Sequence, residues 1–361
     1  MTLSVIEILN KAAREEPLSR KEVLSLLSLK EKEEQEGLFE VARRLRDRYF
    51  GDKTFLYGFV YFSTWCRNNC AFCYYRASNR LCERYRKTED QVIDAAIELA
   101  ESGVHLLDLT MGEDPFYYDK ENGFQPLLDL VRKIKSRTGL PIMISWGVMS
   151  DEALEKLPES EADWFACYQE THNPDLFRRL RLGQDYAHRL HVKYQARRMG
   201  MLIEEGILTG VGESLEEVAD SMETMKQMGI HQARVMNFVP QRGTPMGHFS
   251  LPHPDRENRM IAILRLLFPH RLIPASLDVY GIDGLKGKLC AGANVVTSLI
   301  PPSSGLMGVA QGTLGVREGH RTAKAITPIL NEFGLRKAGL EDYIFWVKEE
   351  KKRLLKGNGN T

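Results

Sequence analysis

The sequence lacks a surplus of either charge. Forty-nine Lys and Arg balance 49 Asp and Glu over 361 residues, so nothing argues for the basic footprint of a nucleic-acid binder or for attraction to an anionic membrane. A long apolar run is missing as well. No stretch of about 18 apolar residues occurs, and residues 1–6 lead into charged helical sequence without the apolar core of a signal peptide. The expectation is a cytoplasmic protein working on a small molecule, with neither nucleic acid nor membrane among its partners. Cysteine is scarce, and Cys82, Cys167 and Cys290 lie too far apart in sequence to suggest a metal site. Cytoplasmic chains rarely form disulfides, so these three read as packed thiols. His188 and His191 share a helical face, but no third ligand lies near them. No low-complexity linker interrupts the middle of the chain. One domain is expected over 51–335, between an N-terminal helical cap, 1–50, and a C-terminal helix with a tail, 336–361.

What is present is a repeat of short β-rich runs and longer helical ones. Eight strands are expected at 55–64, 105–111, 141–147, 164–170, 201–211, 233–240, 272–279 and 294–301. Helices between them carry start signals: Thr88 with Gln91 and Ser214 with Glu217 have capping-box spacing, as do Ser19 and Glu22 in the N-terminal segment. Eight strand-helix repeats imply a parallel sheet closed into a (β/α)8 TIM barrel, with an open doubly wound sheet as the alternative.

The other three cysteines fall within eight residues, as Cys66-x3-Cys70-x2-Cys73 directly after the first strand. Three thiolates can hold three irons of a [4Fe-4S] cluster, whose full ligation takes four. One iron is left open. An open position separates a catalytic metal centre from a structural one, so the loop asks for an exogenous ligand. A structural zinc or a non-catalytic cluster is the rival reading, although three thiols alone make a poor closed site.

Working residues of such barrels come from the C-terminal ends of the strands. The cysteine loop follows the first strand; Asp108 lies in the second, which runs into Gly112 and Glu113; Glu170 ends the fourth, and Ser276 and Asp278 belong to the seventh. Alternation puts Asp108 with Thr110, and Ser276 with Asp278, on shared faces. It also places Cys167 opposite Glu170, toward the helices. Carboxylates set among leucines are costly to desolvate unless paired, so a partner for each is expected. Arg234 opens the sixth strand, where an exterior ion pair is as plausible as a function, and Glu204 and Glu205 in the fifth have only a minor claim to one.

The cysteine motif, with Phe72 before its last thiol, resembles that of the radical S-adenosylmethionine (SAM) enzymes. Segments 61–64, 108–115, 206–212 and 271–278 are similar to the subgroup of biotin synthase, the [FeFe]-hydrogenase maturase and methylornithine synthase, most of all the last. This resemblance implies that Cys66, Cys70 and Cys73 ligate a [4Fe-4S] cluster and that SAM fills its open site. It implies SAM contacts at Glu170 and Arg189, with Gly112 and Glu113 near the methionine end. Asp108, Arg234, Ser276 and Asp278 would bind the substrate, L-lysine, which a carbon-skeleton rearrangement turns into 3-methylornithine in the first step of pyrrolysine biosynthesis. An external one-electron donor such as flavodoxin or ferredoxin is implied as well. The substrate set suits lysine, since one bidentate cation matches its carboxylate and two anions match its ammonium groups. No second cysteine set supports sulfur insertion, while a maturase-like enzyme acting on another amino acid remains an alternative. Trp146 departs from the proline expected at its rim position and would alter the pocket's shape.

Overall fold

The computed structural model describes residues 3–303 and 321–358. Eight strands form one parallel sheet: β1 (Lys53–Ser63), β2 (Leu106–Met111), β3 (Ile142–Ser145), β4 (Trp164–Ala166), β5 (Leu202–Thr209), β6 (Gln232–Asn237), β7 (Pro274–Ser276) and β8 (Val295–Leu299). Their order is β6-β5-β4-β3-β2-β1-β8-β7. The barrel is joined at its N-terminal end, where Gln232 bridges Leu272 and the Ala233 amide donates to the Leu272 carbonyl at 3.0 Å. Toward the rim β6 and β7 part, so the barrel is nearly closed rather than fully laddered. All eight expected strands exist, but β4 and β7 have three residues each. The chain turns out of the sheet soon after each, with Glu170 and Tyr280 at φ 69° and 63°, a left-handed backbone incompatible with a continuing strand.

Expected helix starts hold where the sequence supplies a cap. Thr88, Ser214 and Ser19 each accept from the backbone N–H three residues on, with the reciprocal bond from Gln91, Glu217 and Glu22. Two short helices were not expected, Pro115–Tyr118 and Pro174–Leu180. Their signal was present as Asp114-Pro115 and Asn173-Pro174, an N-cap followed by proline at the first helical position. The N-terminal helices Arg20–Leu27 and Lys32–Phe50 pack on the barrel's flank against Leu215–Gln227 and Pro254–Leu267.

The C-terminal segment closes the bottom. A further strand, β9 (Arg336–Lys337), pairs with the start of β1 at Lys53 and Thr54, and the helix Leu340–Asn358 follows. Its Tyr343 hydroxyl meets that of Tyr57 at 2.7 Å, and Trp346 stacks on Trp164 with ring centroids 5.8 Å apart. Among the described residues no helix is long and apolar enough to cross a membrane.

Candidate active site

β1 delivers the cysteine loop to the rim, and the neighbouring turns fix it there. The Arg67 amide donates to the Glu113 carbonyl at 2.8 Å, Ala71 to Leu180 at 2.7 Å and Ala77 to Asn68 at 2.7 Å. Arg84 straps the return of the loop, donating to the carbonyls of Tyr75 at 2.9 Å and Arg76 at 2.6 Å. Gly112 is required by this approach: a Cβ there would lie 2.3 Å from the Trp65 carbonyl oxygen and 2.8 Å from Cys66 Cβ.

Cys66, Cys70 and Cys73 line one cavity, yet no three His, Cys, Asp or Glu side chains among the described residues converge as one metal ion requires. In a cluster each thiolate takes its own iron. Burial pushes the Cys66 thiol up to about 11 and that of Cys73 higher still. Cationic irons supply the charge such thiolates need. Cys70 Sγ also receives Gln184 Nε2 at 3.0 Å.

The same cavity is walled by Gly112, Glu113, Glu170 and Arg189, so the four expected SAM residues and the three thiols share one space. Glu113 is held by Arg67 Nε at 3.1 Å and the Val148 amide at 3.1 Å, with Arg189 Nη1 at 3.6 Å. Glu170 accepts from Arg181 Nη2 at 2.7 Å, and burial raises its carboxyl above the usual range. Arg189 Nε donates to the Tyr168 carbonyl at 2.8 Å. Trp146 is fully buried in the cavity wall, and its carbonyl accepts from the Tyr118 hydroxyl.

The expected substrate residues lie below this cavity, inside the barrel. Asp108 sits in the middle of β2 opposite Phe59 and Met143, and Arg234 in the middle of β6 opposite Gly206. Arg234 faces inward, not to an exterior ion pair. Its Nε donates to Glu204 Oε1 at 2.6 Å, its Nη1 to Thr297 at 3.0 Å, and its guanidinium lies 5.6 Å from the Tyr168 ring centroid. Gly206 leaves room for that ring, since a Cβ there would sit 3.1 Å from Tyr168 Cδ1. Tyr168 spans both levels: its ring lines the upper cavity while its hydroxyl donates to Glu204 at 2.8 Å. Ser276 and Asp278 do come together, with Ser298 Oγ donating to Asp278 at 2.7 Å and lying 3.4 Å from Ser276 Oγ.

Two expectations require correction. Asp108 has no partner for Oδ1, and the nearby Ser145 hydroxyl is equally unbonded. Burial pushes the Asp108 carboxyl up to about 8, so the desolvation is met by holding a proton, not by an ion pair. Cys167 does not face the helices; it lines the cavity with the cluster thiols. Strand alternation fails there because β4 ends at Ala166. Glu204 and Glu205, which had only a minor claim to function, are held inside the barrel, the first by Arg234 and the second by Lys193 and the Gln169 amide.

Three residues of the site went unread. Arg181 ties Glu170 to Cys70, Tyr168 carries Arg234, and Arg321 donates to Asp278 at 2.8 Å while fully buried. Arg181 could have been suspected as a cation close behind the Asn173-Pro174 helix start. Nothing in the local sequence marks Arg321.

Three thiols on the loop after the first strand of a parallel barrel, above buried polar residues, define the class, and the family model described as the Radical SAM superfamily matches residues 60–225. The chain is 45% identical over 321 residues to the 3-methylornithine synthase of Methanosarcina acetivorans, covering 89% of this chain and 91% of that one. It is 44% identical over 326 residues to that of Methanosarcina barkeri, covering 90% and 92%. A crystal structure of methylornithine synthase superposes with a TM-score of 0.88 at 42% identity, covering 93% of this chain and 98% of the other. The chain therefore belongs to the 3-methylornithine synthase family of radical SAM enzymes.

Proposed function

We propose that this enzyme converts L-lysine to 3-methylornithine by rearranging the carbon skeleton, using a [4Fe-4S] cluster on Cys66, Cys70 and Cys73 together with SAM. When bound and reduced by one electron, these cofactors supply a 5'-deoxyadenosyl radical, the species that abstracts hydrogen from an unactivated carbon. The protein's own task is to hold and seal.

The observation that carries the reading is a pair of orphaned, opposite groups inside the barrel. Asp108 Oδ1 and Arg234 Nη2 are both buried without a partner. Such groups are expensive to leave unmet, and an amino acid supplies what they need, an ammonium for the carboxylate and a carboxylate for the guanidinium. Asp278, with Ser276 beside it, offers a second anion for lysine's other ammonium. Arg321 already pairs with Asp278 but keeps Nε and Nη2 unbonded, so it can share in orienting the same ligand. Below, the hydroxyl pair Tyr57–Tyr343 and the Trp346–Trp164 stack keep water out of the barrel.

The test is anaerobic turnover of the reconstituted enzyme with isotopically labelled lysine, SAM and a chemical reductant. Labelled 3-methylornithine is the expected product. SAM cleavage without that product, with turnover restored by another amino acid, would overturn the choice of lysine while leaving the class intact.

A further inference from the structure

We propose that the solvent side of the cluster loop, with Arg179 and Arg242 beside it, is the docking surface for an acidic one-electron donor protein of the flavodoxin or ferredoxin type. The proposal rests on the radical SAM class of the site, not on the identity of the substrate.

Charge is the first observation. The whole chain is neutral, yet the stretch 65–87 holds six Arg and Lys against a single acidic residue, Glu83. Arg67 and Arg86 are paired with Glu113 and Asp114, so the unpaired charge on this face comes from Arg80 in the stretch and from Arg179 and Arg242 outside it. Arg80, Arg179 and Arg242 are exposed, and none makes an ion pair among the described residues. Two contacts bring them onto one face. Asn79 Nδ2, next to Arg80, donates to the Arg242 carbonyl at 3.0 Å, and the Leu180 carbonyl, next to Arg179, accepts from Ala71 inside the cysteine loop at 2.7 Å.

Apolar surface is the second. Trp65 is 43% exposed and Leu81 59% exposed, and Arg84 lies 5.8 Å from the Trp65 ring centroid. Directly before the first cluster thiol, a large ring thus keeps over two-fifths of its surface in water. Basic groups around a small apolar centre suit a weak, fast, electrostatically guided encounter, which is how electron-transfer partners meet.

Position is the third. Electron transfer falls steeply with distance, so the donor must come against whatever separates the cluster from solvent. On the inner side that is the barrel with its substrate. On the outer side it is the loop with the helix Pro174–Leu180 and residues 238–246 packed on it, the segments that carry Arg179 and Arg242.

The experiment measures reduction of the reconstituted cluster, followed as bleaching of its visible absorbance, without lysine present. The triple variant Arg80→Glu, Arg179→Glu, Arg242→Glu is compared with the unmodified enzyme, using reduced flavodoxin in one arm and dithionite in the other. Steering of this kind raises association rates by about 10-fold to 1,000-fold, so flavodoxin should reduce the variant at least about tenfold more slowly at low salt. The rate should also lose most of its dependence on ionic strength, while dithionite reduces both proteins alike. An unchanged flavodoxin rate overturns the proposal. So does slowing in both arms, which would make these arginines supports of the cluster, or tighter binding of the basic face to duplex DNA than to flavodoxin.

Discussion

Around the thiols every buried acid of the wall has a partner in the protein: Glu113 has Arg67 and the Val148 amide, and Glu170 has Arg181. One level down, Asp108 Oδ1 and Arg234 Nη2 are buried with none. The upper cavity takes cofactors that stay or are renewed as a unit, and its carboxylates are paired without them, although Ser145 Oγ, Trp146 Nε1, Arg181 Nε and Asn237 Oδ1 in its wall have no partner. On the proposed reading the polar interior below takes a zwitterion, whose ammonium and carboxylate would meet the two unpartnered groups. Difference in satisfaction therefore separates the holding of a cofactor from the choosing of a substrate.

The comparison breaks most sharply at the thiols. Cys70→Ala should abolish the visible absorbance of the reconstituted cluster and with it all SAM cleavage, while the thermal stability of the cluster-free protein changes little. Retained SAM cleavage would refute the ligand assignment.

Asp108→Asn should separate the two levels. Loss of the anion that receives an ammonium is expected to lower 3-methylornithine formation on the order of a hundredfold or more, with SAM cleavage persisting as an uncoupled reaction. Its pH signature follows from the carboxyl pushed up to about 8 from an ordinary 3.8. The groups facing it are the nearby Ser145 hydroxyl and Arg234, which lower it, and Glu204 and Asp278, which raise it further. In the empty enzyme it keeps its proton below about pH 8, and a lysine ammonium favours the ionised form. Lysine binding at pH 7 should thus release about one proton and tighten as pH rises toward 8, measurable by calorimetry in buffers of different ionisation enthalpy. For the same reason, the empty enzyme's stability includes a contribution that is full below about pH 4 and lost as pH rises through 8. The Asn variant should show neither effect.

The smallest effect belongs to the floor. Tyr343→Phe removes one buried hydroxyl contact with Tyr57 and should cost about 1 kcal/mol of stability, read as a lower unfolding midpoint, with cofactor chemistry unchanged.

The two levels were also unequally legible. Cys66, Cys70 and Cys73 fall within eight residues, and their spacing alone carries their chemistry. Capping boxes at Thr88 and Ser214 are local in the same sense, and so the strand-helix repeat was readable. Asp108 could be singled out as a charge among leucines, but its lack of a partner could not, because that depends on what strands far apart in sequence bring to its side. Cys167 was misplaced because alternation was extended past the end of β4 at Ala166. Arg321 is invisible locally: its role exists only once the chain, having left β8, returns to Asp278.

The floor beneath the chamber has a consequence in time. Tyr57 lies in the first strand and Tyr343, which meets it, in the last helix, 286 residues later. On the ribosome the first strand and the cysteine loop emerge early, whereas their stopper is among the last parts made. Until the final helix docks, Tyr57, His105 and Trp164 at the lower end of the barrel lack the cover that Tyr343 and Trp346 give them. The order of synthesis thus favours folding first and receiving iron afterwards, and a chain stopped short of residue 340 would carry its cluster ligands without that cover.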